Sequence, residues 1–400
     1  MTRTADIIRE TEAVTARNYA PLPVVIARAE GVWAWDVDGR RYLDCVSGYS
    51  SLNQGHRHPR IVAALIEQAD RLTLTSRAFH NDRMGPFLNR LCRLCGTDMA
   101  LPMNTGAEAV ETAIKLARLW GYRSKGIPDN KAEIVACRNN FHGRTTTLVG
   151  FSSEPQYRDG FGPHAPGFTL IDFGDAAELA SAITPNTAAF LVEPIQAEAG
   201  VLIPPAGYLA EVRRVCSAND VLLVFDEIQT GLGRTGKLFA YEHEANAKPD
   251  ILILGKALGG GVYPVSAIVS SAELLGHFKP GEHGSTFGGN PLAAAVGEAA
   301  LAVIEDEALA ERAAELGTYL RNALNTIRSP AICEIRGCGL LLGIEIHDKA
   351  GPARGYCSRF AERGVLTKDT HAQVMRLAPP LIIDKPELDW LVEQLAAVFE

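Results

Sequence analysis

Four short apolar runs punctuate the middle of the chain: AEIVAC (132–137), AAFLVE (188–193), VLLVFDE (221–227) and ILIL (251–254). Each is nearly continuous in apolar character and rich in Val, Ile, Leu or Phe, the pattern of strands buried on both faces. Between them lie stretches of helical periodicity such as AGYLAEVRRVCSAND (206–220). This alternation predicts parallel strands joined by crossover helices, with ligands received beyond the carboxyl ends of the strands. From about residue 290 the texture changes. NPLAAAVGEAALAVIEDEALAERAAELGTYLRNAL predicts two helices, GLLLGIEIH (339–347) and QVMRLAPPLII (373–383) read as strands, and PELDWLVEQLAAVFE reads as a terminal helix. VWAWDVDGRRYLD (32–44) has a DG turn between two aromatic-bearing runs, a hairpin signal. We expect an α/β protein in three parts: an N-terminal segment (1–48), a large ligand-binding domain (49–288) and a small α+β domain (289–400), with the first segment packed on the last.

Composition narrows the partners. The 400 residues are 47% hydrophobic, enough for a large core, and carry 39 basic against 47 acidic residues, a formal charge of −8. A mildly acidic chain with no long Lys/Arg run has no general attraction to nucleic acid or to an anionic membrane. MTRTADIIRETEAVTARNYA lacks the apolar core of a signal peptide, and no stretch approaches the ~20 apolar residues of a spanning helix. A soluble, cytoplasmic protein is expected. Cys92 and Cys95 form a C-x-x-C, but LNRLCRLCG has helical periodicity and no second Cys/His pair stands at zinc spacing. His56 and His58 in GHRHPR read as loop residues, and no metal site is expected.

Chemistry concentrates in three places. In MNTGAEAVETAIKLARLWG (103–121), Thr105 and Glu108 fit a capping box, followed by an apolar stripe through Val110, Ala113, Ile114, Ala117 and Trp120. Gly106 at that helix start makes it a candidate anion seat, the alternative being a capped helix with nothing bound. Asp226 follows five apolar residues, so it sits at a strand end and needs a partner for its carboxylate. Just downstream, GLGRTGK (231–237) matches G-x-G-x-x-G and nearly matches a phosphate loop. Leu238 stands where that loop needs Ser or Thr, no strand immediately precedes it and no clear helix follows, so neither reading is adopted. Lys256 ends the run DILILGKALGGG beside glycines, where desolvation can lower an amine's pKa and make it a nucleophile. A lysine, a distant aspartate and a phosphate seat together are what pyridoxal 5'-phosphate needs: an amine for its aldehyde, a carboxylate for its ring nitrogen and backbone donors for its phosphate.

The spacing of DEIQTGLGRTG to LGKALGGG resembles that of the class III, fold-type I, pyridoxal-phosphate-dependent aminotransferases. NYAPLPVV, GYSSLNQGHRHPRI, LTLTSRAFHND, LPMNTGAEAVETA, NNFHGRT, GEHGSTFGGNPLA and VMRLAPPL resemble the ornithine-directed branch of that family, over residue 18 to the C-terminus. The resemblance implies a mostly parallel seven-stranded sheet flanked by helices, with a small α+β domain drawn from both termini. It implies that Lys256 links to the cofactor and later moves the proton between substrate and cofactor carbons. Asp226 would pair with the ring nitrogen and Gln229 with the ring hydroxyl, while Phe141 and Ile228 would cover the two ring faces. Thr105 belongs to the implied cofactor set, and Gly106 and Ala107 would offer backbone N–H groups to the phosphate. Ser285 and Thr286 would reach the phosphate of a neighbouring subunit, in a homodimer or larger homo-oligomer.

For the substrates, the resemblance implies that Tyr19 and Arg144 hold the α-carboxylate of ornithine and that Tyr49 lines the pocket. Glu198 would neutralise Arg376 while ornithine is bound. When 2-oxoglutarate enters, Arg376 would take its α-carboxylate and Arg144 the distal one. The structural alternative for either arginine is an ordinary salt bridge. One departure stands out in EPIQAEAG (193–200): Ala197 replaces the family's usual glycine before Glu198, and its methyl would constrain the gate if φ there is positive. The implied reaction moves the δ-amino group of ornithine to 2-oxoglutarate. Its rivals are transfer from acetylornithine, lysine or another terminal amine, a decarboxylase or aminomutase on the same scaffold, and a binding protein without turnover.

Overall fold

The computed structural model describes residues 3–400. Its central sheet has seven strands in the order Met99–Met103, Ser266–Ser270, Ile251–Leu254, Leu222–Asp226, Thr187–Val192, Glu133–Cys137 and Phe168–Ile171. Ser266–Ser270 runs antiparallel to both its neighbours. From Ile251–Leu254 outward, every remaining pair is parallel. The four apolar runs seen in the sequence are its central strands, and the side-chain alternation explains their continuous apolar character. Ile134, Ala136, Leu191, Val224 and Ile253 face a core shared with Val110, Ala113, Ile114 and Ala117 of the helix Gly106–Trp120. Val135, Cys137, Phe190, Leu223, Phe225 and Leu252 face the opposite layer.

Three strands of this sheet were not legible in the sequence, each for a physical reason. Met99–Met103 contains Pro102 and is partly exposed along its first three residues. Phe168–Ile171 is a four-residue edge strand. Ser266–Ser270 begins and ends in serine, and its polar ends are buried because Ser266 Oγ donates to the Thr105 carbonyl at 2.7 Å and Ser270 Oγ to the Asp250 carbonyl at 2.6 Å.

A second sheet has the order Ile26–Glu30, Trp33–Asp36, Arg41–Asp44 and Val365–Leu366. It contains the DG hairpin and joins residues near the N-terminus to residues beyond 360 through a parallel pairing. A third sheet has the order Ile332–Cys338, Leu341–Ile346, Val374–Leu377 and Lys368–Thr370. QVMRLAPPLII is a strand only over Val374–Leu377, since Pro379 and Pro380 have no N–H to continue a ladder. The two Ala/Leu-rich helices are Pro291–Asp306 and Leu309–Leu324, and the last helix, Lys385–Phe399, starts from an Asp384–Glu387 capping box.

Cys92 and Cys95 lie in the helix Met84–Cys95 as free thiols. His56 bonds Asp44 at 2.8 Å and His58 bonds Glu307 at 2.9 Å. Among the described residues, no helix is long and apolar enough to cross a membrane, and no cluster of His, Cys, Asp and Glu could hold a metal ion.

This topology delivers the chemistry to one edge. Leu222–Asp226 ends on Asp226, Thr187–Val192 ends just before Glu193, and Ile251–Leu254 ends two residues before Lys256. The three strands are parallel, so these groups emerge together at their carboxyl ends.

Candidate active site

A cavity of about 210 Å³ opens at that edge. Lys256, Asp226, Glu193, Gln229, Ile228, Phe141, His142, Gly106 and Ala107 all line it. Lys256 begins a short helical turn directly after the strand, with φ of 43°. Left-handed backbone at a non-glycine residue costs on the order of 1–3 kcal/mol and persists where the surroundings over-determine it. The glycines around it permit the turn and its close packing. A Cβ on Gly261, at φ +68°, would stand 2.1 Å from Leu52 Cδ2. Burial lowers the pKa of the Lys256 amine, against the opposing pull of Glu198. That shift makes the uncharged nucleophile easier to reach.

Asp226 is 5% exposed and doubly anchored. Its Oδ1 accepts the Ile228 N–H at 3.1 Å, and its Oδ2 lies 2.7 Å from His142 Nδ1, which places the imidazole proton on Nδ1. The other nitrogen of His142 is buried without a partner. Beside them, Glu193 Oε2 accepts the Phe141 N–H at 3.0 Å. Burial, and then the Asp226 charge, push the Glu193 carboxyl well above its ordinary range. Gln229 donates Nε2 to Glu198 Oε1 at 3.1 Å, while its Oε1 is buried and unpartnered.

The helix Gly106–Trp120 starts at the far side of the cavity. Thr105 and Glu108 form the predicted capping box: Thr105 Oγ1 accepts the Glu108 N–H at 3.2 Å and Glu108 Oε2 accepts the Thr105 N–H at 2.8 Å. The Thr105 hydroxyl is therefore occupied by the cap, and Gly106 and Ala107 are the residues that line the cavity. A side chain on Gly106 would press within 3.0 Å of Ile228 Cδ1. Ser285 Oγ accepts from Asn104 Nδ2 at 2.8 Å just outside this helix start, and neither Ser285 nor Thr286 lines the cavity of its own chain.

The two arginines differ. Arg376 is 1% exposed, and its Nη1 donates to Glu198 Oε1 at 2.6 Å. Burial alone would raise the Glu198 carboxyl, but Arg376 and Lys256 outweigh it and hold it at about 2. Arg144 has no carboxylate partner among the described residues; its guanidinium lies 3.9 Å from the centre of the Tyr157 ring and 5.6 Å from that of Phe141. Tyr49 stands 5.7 Å from the Arg376 guanidinium, and burial raises the pKa of its hydroxyl. Tyr19 itself is 70% exposed. Ala197 is buried and its backbone is not left-handed, so the methyl packs with Ile195, Val201 and Leu341 and the feared strain does not arise.

Three residues of the site escaped the sequence reading. His142 and Glu193 stand inside NNFHGRT and EPIQAEAG, where the signal was a polar residue beside a cofactor motif. Tyr157 carries no sequence signal, and only the fold brings it to Arg144.

An amine, an anchored carboxylate, an aromatic wall and open helix-start N–H groups around one cavity fit pyridoxal phosphate, and the unpartnered Gln229 Oε1 offers an acceptor on its wall. The model for "Aminotransferase class-III" matches residues 14–399. The ornithine aminotransferase of Geobacillus sp. (strain WCH70) is 57% identical over 399 residues, 100% of this chain and 99% of that protein. The ornithine aminotransferase of Toxoplasma gondii, crystallized with oxidized glutathione and with partial occupancy of PLP at its active site, superposes with a TM-score of 0.97 at 46% identity, over 99% of this chain and 94% of that one. The acetylornithine aminotransferase of Elizabethkingia anophelis has a TM-score of 0.90 and 46% identity, over 100% of this chain and 99% of that one. The chain belongs to the class-III aminotransferase family.

Proposed function

We propose that the protein transfers the δ-amino group of L-ornithine to 2-oxoglutarate, forming glutamate and glutamate 5-semialdehyde, which cyclises to pyrroline-5-carboxylate. The observation that carries this reading is the unequal pair of arginines: Arg376 masked by Glu198 at 2.6 Å, Arg144 open to a carboxylate. An ω-amino donor has one carboxylate remote from the reacting amine, and the acceptor has two. One open and one maskable guanidinium serve both in a single site.

When bound, the cofactor would supply an aldehyde for the amino group and a ring to take up the electron pair freed at the substrate carbon. Lys256 Nζ, at the strand end, would hold that aldehyde and would move the proton to and from the reacting carbon. Asp226 keeps the ring nitrogen protonated, and His142 holds the Asp226 carboxylate in place. Phe141 and Ile228 confine the ring, Gly106 and Ala107 receive the phosphate, and Gln229 meets the ring hydroxyl. Arg144, with Tyr19, holds the ornithine carboxylate, and Tyr49 walls the pocket. Ser285 and Thr286 complete the phosphate seat of a second copy, which makes the working unit a homodimer. The division at residues 48 and 288 and a cytoplasmic location belong to the same reading.

A panel of amino donors with 2-oxoglutarate tests it, following glutamate and trapping pyrroline-5-carboxylate with o-aminobenzaldehyde. Ornithine should be the preferred donor. Preference for acetylornithine would move the assignment to the other relative's substrate, and carbon dioxide release without glutamate would end the transfer reading.

A further inference from the structure

The motif GLGRTGK, set aside as a nucleotide loop, buries a charge that neither the core nor the cofactor site explains. Arg234 is 0% exposed. Its Nη1 donates to the Leu340 carbonyl at 3.0 Å and the Pro379 carbonyl at 2.6 Å, and its Nη2 donates to Asn53 Oδ1 at 2.6 Å. Its Nε is buried without a partner, and among the described residues no carboxylate lies within ion-pair distance of it. Asp44 is the anion that faces it at longer range, but that carboxylate is engaged by His56 and by the Val46 and Ser47 N–H groups. A buried cation without an anion carries a large desolvation penalty, which its hydrogen bonds to the Leu340 and Pro379 carbonyls and to Asn53 offset only in part.

What the guanidinium joins is informative. Asn53 Nδ2 donates back to the Leu232 carbonyl, and the Asn53 carbonyl receives the Leu381 N–H. The Leu340 N–H donates to the Arg234 carbonyl. Arg234 thus ties the turn that follows Asp226, the segment around residue 53 and the bend 378–381. That bend leaves directly from Val374–Leu377, the strand that carries Arg376. Arg376 is also the positive group whose charge bears most on Arg234. Glu198 is the close carboxylate of Arg376, whereas the anion that bears on Arg234 is the more distant Asp44. When Glu198 moves aside, Arg376 is left without its carboxylate until an incoming one replaces it.

We propose that Arg234 is a positioning residue for Arg376, fixing the bend behind its strand through the hydrogen bond to the Pro379 carbonyl, so that Arg376 is held in place for the acceptor's carboxylate. This rests on the reading of Arg376 as the acceptor's α-carboxylate site. The donor, held at Arg144, does not depend on it.

The test uses the holoenzyme and compares kcat/KM for 2-oxoglutarate with kcat/KM for ornithine, which report the two halves of the transfer separately. Arg234→Gln should lower the 2-oxoglutarate constant about tenfold and the ornithine constant less than about threefold. In an Arg376→Gln background the same change should have no further effect, because Arg234 acts through Arg376. Arg234→Lys keeps the charge and loses the fork, so its 2-oxoglutarate constant should lie between those of wild type and Arg234→Gln. It also replaces the Gln variant if that one does not fold, and must then lower the 2-oxoglutarate constant alone. Equal losses in both constants, unchanged constants with only a lower Tm, or a full Arg234→Gln effect persisting in the Arg376→Gln background would each overturn the proposal. If Arg376→Gln by itself leaves the 2-oxoglutarate constant unmoved, the acceptor assignment falls and this inference with it. If Arg376→Gln lowers it and Arg234→Gln does not, only this inference falls.

Discussion

Asp226 and Glu198 are carboxylates on adjoining walls of the same site, held by opposite means. Asp226 is the last residue of a central strand, on a short side chain, with both oxygens bonded to groups that stay in place: the Ile228 N–H and the buried ring of His142. Glu198 lies in a loop, on a longer side chain, and its Oε1 serves both Gln229 and the guanidinium of Arg376. The first arrangement suits a group that must not move during the reaction, the second a group that must exchange partners. Rigidity here comes from backbone at strand ends, and the capacity to switch comes from an ion pair between side chains whose charges a substrate can replace.

Breaking the fixed half should have the largest effects. Lys256→Ala removes the amine that the proposed function makes the proton carrier, so kcat should fall by about a thousandfold or more in steady-state assays. Asp226→Asn leaves the geometry and removes the charge. A loss on the order of a hundredfold in kcat is expected, with weaker cofactor retention measured by absorbance after dialysis. A fall in kcat of less than about threefold would deny the fixed wall its role.

The exchangeable half should respond in specificity rather than in overall rate. Glu198→Gln removes the charge that neutralises Arg376. The ornithine kcat/KM should fall about tenfold while that for 2-oxoglutarate holds or rises, the signature of a lost partner exchange. The same pair predicts an acid effect. The folded-state Glu198 pKa is depressed from its ordinary 4.5 to about 2. Its contribution is therefore present above the unfolded value and is lost as pH falls from about 4.5 toward about 2. Urea unfolding at pH 5 and at pH 3 should show a larger loss for the wild type than for Glu198→Gln. The smallest effect lies away from both walls: Thr105→Ala, which removes the helix cap, should cost about 1 kcal/mol by denaturant unfolding.

Much of this contrast was legible in one dimension. Lys256, Asp226 and the capped helix start could be placed because strand burial, capping and glycine requirements are local and leave a period or a spacing in the chain. The edge strand Phe168–Ile171 and the serine-ended Ser266–Ser270 were not legible, because their stability comes from neighbours in the sheet rather than from their own composition. Arg234 stood in view inside a motif with the wrong surroundings for a phosphate loop, and nothing local marked it as buried.

The amino-acid order by itself determined which chemical groups end the strands, where the helix that opens on the cavity begins, and which family the motifs resemble. Tertiary structure alone decided who meets whom: His142 on Asp226 across 84 residues, Arg376 on Glu198 across 178, Arg234 at the back of Arg376's strand. The reason is that a side chain's local pattern records its burial and backbone state, whereas an ion pair or a hydrogen bond between distant segments exists only once packing has brought both partners out of water together.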